Sequence, residues 1–158
     1  MLQGDFRHIM KRYTYSLFIA LSVIALDQAT KYLIVSLMSA YDSIEIFSFL
    51  HIVNVRNTGA AFGIFRGLGS GFFIVISLSA LVLLGYMIIK DLYNRTGLSL
   101  ILGGAVGNLI DRIYYGNVVD FIDVSVGRYH WPAFNVADSA LTVGIVIIIF
   151  SSLLKKER

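Results

Sequence analysis

The sequence predicts an all-α membrane protein, a four-transmembrane-helix bundle with a small extracytoplasmic β element. Three observations predict it. The 158 residues are 57% hydrophobic and only 15% charged, whereas a soluble domain carries about 25% charged residues. The apolar residues come in blocks too long for soluble core elements. The basic residues gather in alternate connections between those blocks. A chain of this length suits one integral-membrane domain, 1–158.

A membrane span needs roughly 20 mostly apolar residues, because the hydrocarbon core is about 30 Å thick and a helix rises about 1.5 Å per residue. Four segments are read as spans: Tyr15–Met38, Ser70–Ile89, Leu98–Tyr115 and Ser139–Leu154. The third is the weakest, since Asn108, Asp111 and Arg112 sit in its last turns. A basic stretch precedes the first, as in a secretory signal. A signal's apolar region is only about 7–15 residues long. This run is longer and contains Asp27 and Lys31, so it is read as an uncleaved span.

Orientation follows from the basic residues. Arg7, Lys11 and Arg12 precede the first span, Lys90 and Arg95 lie between the second and third, and Lys155, Lys156 and Arg158 follow the fourth. The other two loops mix Arg56, Arg66 and Arg128 with Asp42, Glu45, Asp120 and Asp123. The positive-inside rule therefore places both termini in the cytoplasm and the two long loops outside. In the first of these loops, Ile44–Phe49 partly alternates and Leu50–Val53 follows, which predicts one or two short strands on the membrane surface. Asp123 reads as part of a solvated loop. Tyr129, Trp131 and Phe134 read as an interfacial aromatic belt.

Several function classes are excluded or disfavoured. With no cysteine there is no disulfide, thiolate nucleophile or cysteine metal ligand. The net charge of +3 forms no basic stripe, so nucleic acid is not expected as a partner. No Gly-x-Ser-x-Gly elbow or His-Glu-x-x-His helix occurs. His8, His51 and His130 are scattered. No metal site and no cofactor are expected.

Charges inside the spans are the informative residues. Asp27 and Lys31 stand four apart on one helix face. A charge at the centre of a span costs about 2.5–3.5 kcal/mol on insertion scales, so the pair is expected to face the bundle interior. It reads equally as a structural ion pair or as part of an active site. Gly103 and Gly107 form a small-xxx-small face and read as packing. Asn108, Asp111 and Arg112 form a polar cluster on the same helix. Asp120 lies in an apolar stretch, Val118–Phe121, with no local explanation. Asp138 has one: Asn135 as an N-cap would leave Asp138 in the first turn of the fourth helix. Paired carboxylates that share a proton can activate water and protonate a leaving amine, and the composition permits that chemistry.

Five boxes occur in order along the chain: Asp27-Gln28-Ala29-Thr30-Lys31, Asn57-Thr58-Gly59-Ala60-Ala61-Phe62, Gly103 to Arg112, Val118-Val119-Asp120-Phe121 and Phe134-Asn135-Val136-Ala137-Asp138. Together they resemble the lipoprotein signal peptidase (signal peptidase II) family. The resemblance implies an aspartic endopeptidase of the bacterial cytoplasmic membrane with its site toward the outside. Its substrate would be a prolipoprotein whose cysteine already carries a diacylglyceryl group, cut just before that cysteine. The family's catalytic aspartates map onto Asp120 and Asp138. Its supporting residues map onto Asp27, Lys31, Asn57, Asn108, Arg112 and Asn135. The resemblance further implies contact with membrane lipids and inhibition by the cyclic peptide globomycin at the same site; the chain is expected to act as a monomer. The residues alone leave two other readings, a proton or ion conduit through Asp27, Lys31, Asp111 and Asp120, and a non-catalytic scaffold.

Overall fold

The computed structural model describes residues 2–59 and 69–156, apart from the side chains of residues 2–6, 8 and 156. Ala60, Ala61 and Phe62 of the second box, together with Arg66, lie outside the described residues. The element order is α1 (Leu2–Leu37), β1 (Ser43–Phe47), β2 (Leu50–Asn57), α2 (Gly69–Ile89), α3 (Arg95–Tyr115), β3 (Val118–Val126), β4 (Tyr129–His130) and α4 (Val136–Lys156).

Two parts of the expected fold class are overturned. Among the described residues three helices, not four, are long and apolar enough to cross a membrane: Ile9–Leu37, Gly69–Ile89 and Val136–Lys155. The helix expected as the third span, α3, has the length but carries Arg95, Asp111 and Arg112. The physical reason lies in its place. It packs against α1, α2 and α4, and its glycines, Asn108 and Asp111 are buried among them. A helix whose surface meets protein instead of lipid is released from the demand for apolar side chains.

The second correction is the sheet. Among the described residues the sheet has four strands, in the order β1-β2-β3-β4, all antiparallel. The first loop supplies β1 and β2, as expected of it, and the second adds β3 and β4, which were not expected, so the protein is not all-α. β1 carries the alternating Ile44-Glu45-Ile46 sequence, and all five of its residues are exposed. The first four residues of β3 are all buried, so it lacks the period-2 signal that marks a half-exposed strand. Asp123 belongs to β3, and not to a solvated loop. Its carboxylate lies 2.9 Å from Nδ1 of His130. His130 in turn neighbours His51, with ring centroids 6.0 Å apart, so two of the histidines scattered in sequence meet on the sheet.

Glycines set how closely the helices approach. A Cβ at Gly97 would lie 2.8 Å from the Gly144 carbonyl oxygen, and one at Gly144 would lie 2.7 Å from that of Gly97. Further along the same crossing, a Cβ at Gly104 would lie 2.4 Å from the carbonyl oxygen of Ala137. Backbone cannot swing aside as a side chain can. Gly104→Ala is therefore expected to push the first turn of α4 away from α3. It should lower stability by about 1–3 kcal/mol, read as a drop in Tm in detergent.

At the far end of the helices from the sheet, Arg12 bonds Asp91 across the α2–α3 turn. Arg95 bonds the same carboxylate at 3.0 Å and donates to the carbonyl of Ile88. Asn94 caps α3 by accepting from Gly97 N–H. Gly116, at φ 73°, closes it in the left-handed conformation that glycine adopts readily.

Candidate active site

The site is assembled where the start of β3, the end of β2, the C-terminal half of α3 and the first turn of α4 converge. β2 and β3 pair antiparallel, with Val55 opposite Asp120 and Asn57 opposite Val118. That register brings Asn57 beside Asp120, and its Nδ2 donates to Asp120 Oδ2 at 3.0 Å. Asn135 donates from Nδ2 to Asp120 Oδ1 at 2.8 Å.

Asp138 occupies the capping position that its spacing allows. Its N–H donates to Asn135 Oδ1 at 2.9 Å, and its Oδ2 accepts from the Asn135 N–H at 3.3 Å. This is the reciprocal arrangement of a capping box. The other oxygen, Oδ1, accepts from Asn108 Nδ2 at 2.8 Å, and Asp138 lines the same cleft as Asp120. Capping and chemistry are thus compatible for one carboxylate.

Beneath the two carboxylates lies a buried ion triad. Lys31 Nζ lies 2.8 Å from Asp27 Oδ2 and 3.0 Å from Asp111 Oδ2. It also donates to Asn108 Oδ1 at 3.0 Å. An ammonium has three protons, and here each has an acceptor. Asp27 additionally accepts from Ala137 N–H at 2.9 Å, and Asp111 from Val119 N–H at 3.0 Å. One charge cluster therefore pins α1 and α3 to the first turn of α4 and the start of β3. Gln28 completes it, its Nε2 sharing two protons among Asp27, Asp111 and the carbonyl of Gly107 at 3.0–3.2 Å. A Cβ on Gly107 would lie 2.6 Å from Asp27 Oδ2. This glycine, read as packing only, makes room for the triad.

All eight residues singled out from sequence fall in this region. Asn57, Asn108, Arg112, Asp120 and Asp138 line one cleft. Asn135 bridges the two carboxylates from behind, and Asp27 and Lys31 lie in the layer beneath. Arg112 donates to the Asn108 carbonyl and lies with its guanidinium 5.3 Å from the Phe73 ring centroid. Gln28 and Asp111 were missed as site residues. Both lay inside quoted boxes, and the signal for Asp111 was its position on the face of Asn108, in a bundle where a buried lysine needs acceptors.

The cleft has a volume of about 880 Å³, and its walls include Val55, Val118, Trp131, Pro132, Phe134, Leu141 and Val143. Two carboxylates facing an apolar cavity resist joint ionisation. Burial first, and the neighbouring Asp138 carboxylate second, push Asp120 up to about 7, against the opposing amides of Asn57 and Asn135.

That shift has a stability consequence of definite sign. The unfolded chain loses the Asp120 proton near the ordinary aspartate value of 3.8, and the folded chain holds it to about 7. The folded state binds more protons between those values, so this group's contribution to stability falls as pH rises through the window. Asp120→Asn removes the slope. The variant's stability relative to wild type is expected to rise by about 1–4 kcal/mol between pH 4 and pH 8, measured by thermal melts in detergent; a constant difference would refute the assignment.

Apolar helices of membrane-spanning length and a carboxylate-lined cleft define the class, a membrane-embedded hydrolase of aspartic type. The family model for signal peptidase (SPase) II matches residues 19–154, and the chain belongs to that family. It is 49% identical over 146 residues to the lipoprotein signal peptidase of Thermodesulfovibrio yellowstonii, covering 92% of this chain and 99% of the relative. It is 46% identical over 152 residues to that of Staphylococcus aureus, covering 90% and 93%. Two solved structures described as a bacterial membrane enzyme superpose with TM-scores of 0.82 and 0.79, both at 44% identity. They cover 91% and 89% of this chain, and 90% and 93% of their own.

Proposed function

We propose that this chain is a single-domain peptidase that removes the signal peptide from diacylglyceryl-modified prolipoproteins, with Asp120 and Asp138 as its catalytic pair. The observation that carries the reading is the convergence of these two carboxylates, from different elements, on one apolar-walled cleft. One carboxylate, ionised, takes a proton from water. The other, protonated, donates to the scissile carbonyl oxygen as the water attacks. The pair then delivers a proton to the departing amine of the cysteine residue. Asn57, Asn108 and Asn135 hold the pair in place. Arg112 supplies a positive charge on the cleft wall.

The cleft suits a lipid-bearing substrate. Val143, one of its wall residues, is half exposed on a membrane-spanning helix, so the wall continues onto the surface that lipid covers. An acyl chain can reach the dyad region along that path without leaving an apolar environment. The basic residues Arg7, Lys11, Arg12, Lys90, Arg95 and Lys155 lie at the helix ends away from the sheet, which supports cytoplasmic termini and an outward-facing site. On this reading globomycin occupies the same cleft.

The test is a comparison of two substrates with the purified protein in bilayers. A diacylglyceryl-modified prolipoprotein should be cut at least about 10²-fold faster than the unmodified precursor, because burial of the acyl chains supplies the binding energy. Equal rates on the two would rule out this substrate class.

A further inference from the structure

We propose that Lys31, held by Asp27 and Asp111, is a positioning residue that acts through the Asn108 amide to make Asp138 the resting carboxylate and leave the shared proton on Asp120. The inference rests on the reading of Asp120 and Asp138 as the reacting pair, and it assigns them different roles.

Three amides around the pair have fixed orientations. An asparagine oxygen and nitrogen are distinguished by what faces them. Asn108 Oδ1 faces the ammonium of Lys31 at 3.0 Å, which can only donate. Its nitrogen is thereby turned toward Asp138. Asn135 Oδ1 faces the N–H of Asp138, and Asn57 Oδ1 faces the N–H of Gly59 at 3.0 Å. Both of these nitrogens are thereby turned toward Asp120. None of the three can flip without setting donor against donor.

The two aspartates receive unequal help from this arrangement. The amide on Asp138 is polarised by a full positive charge on its oxygen, and hydrogen bonds in such a chain strengthen one another. Asp138 also sits in the first turn of α4, where the helix dipole favours negative charge. The amides on Asp120 have their oxygens on neutral backbone N–H groups, the Asn135 nitrogen also donating to Asn108 Oδ1 at 3.2 Å, and Asp120 lies on a strand. Lys31 is held in place by two carboxylates and is itself buried. Asp138 therefore retains the negative charge and is the base toward water. Asp120 holds the proton that goes to the carbonyl oxygen.

The experiment is an infrared titration of the protein in lipid, following the protonated carboxyl band. Asp138→Asn reports on Asp120, and Asp120→Asn reports on Asp138. The Asp120 band should persist to a pH at least about 1 unit above the Asp138 band, a tenfold difference in proton affinity. Each titration is repeated with Lys31→Met and Asp111→Asn together, a pair that removes one cation and one anion. There the gap should shrink by about half or more. In the same background with both aspartates intact, kcat should fall about tenfold or more with KM held within about threefold. Should that background fail to fold, Asn108→Leu cuts the same link and should close the gap equally. An absent or reversed gap, or one unchanged when the link is cut, overturns the proposal. Failure of the dyad itself is distinguishable, since a folded Asp120→Asn or Asp138→Asn variant would then keep near-normal turnover whatever the bands show.

Discussion

Replacing either Asp120 or Asp138 by asparagine is expected to lower kcat by about 10²–10⁴-fold, with KM nearly unchanged. The proposed mechanism needs one carboxylate to accept a proton and the other to donate one, and an amide does neither. Structure should survive. At position 138 the N–H to Asn135 Oδ1 and the first turn of α4 do not depend on the carboxylate charge. At position 120 the strand pairing of β2 and β3 is made by backbone. Each variant does place one NH₂ opposite an amide donor, so a loss of about 1–3 kcal/mol is expected from that contact. Turnover measured on a diacylglyceryl-modified substrate, beside a thermal melt of each variant, separates the two effects. A folded variant with rates within a few-fold of wild type would remove that aspartate from the chemistry.

Lys31→Met is the second large effect, and it acts on the fold. Asp27 and Asp111 are each 0% exposed, and Lys31 is 2% exposed. Taking away the ammonium leaves two carboxylates buried near one another with only Gln28 and two backbone N–H groups between them. Breaking a buried pair in this way costs about 3–5 kcal/mol. Lys31→Met should accordingly lose most of its folded yield or show a strongly depressed Tm. Adding Asp111→Asn to Lys31→Met removes one of the unpaired charges and should restore part of the loss. If the single variant is as stable as wild type, the triad does not hold α1, α3, β3 and α4 together as described.

Much of this site was legible because charges in an apolar sequence are conspicuous. Asp27 and Lys31 announced a buried pair by their four-residue spacing, and they form one. Asp120 stood out in an apolar stretch, now seen to be a buried strand. Asp138 was ambiguous between cap and catalyst, and its geometry accommodates both. Less legible were residues whose partners are distant in the chain. Asp111 is 80 positions from Lys31, and Gln28 is polar but uncharged and exposes no periodic pattern. The role of Gly107 depends on the space one carboxylate needs, which no spacing rule reports.

The fold was less legible than the site. Hydropathy identified α1, α2 and α4, though α1 starts at Leu2 and not near Tyr15, α2 at Gly69 and α4 at Val136. It mistook α3 for a further span, although that helix is set apart by polar residues that only protein neighbours can satisfy. Alternation found β1, on the outer edge of the sheet. It could not find β3, since a strand buried on both faces reads as a continuous apolar run. The hidden strand is the one that carries Asp120, and it places that residue against Asn57 and Asn135.

The central claim is that Asp120 and Asp138 cut a lipid-modified prolipoprotein just before its cysteine. The most direct measurement is mass spectrometry of the products when purified protein in bilayers meets a diacylglyceryl-modified prolipoprotein, with the Asp120→Asn/Asp138→Asn double variant alongside. The expected result is one new N-terminus, the diacylglyceryl-cysteine, from wild type and intact substrate from the double variant. Cleavage at another bond, or the same product from a folded double variant, would contradict it.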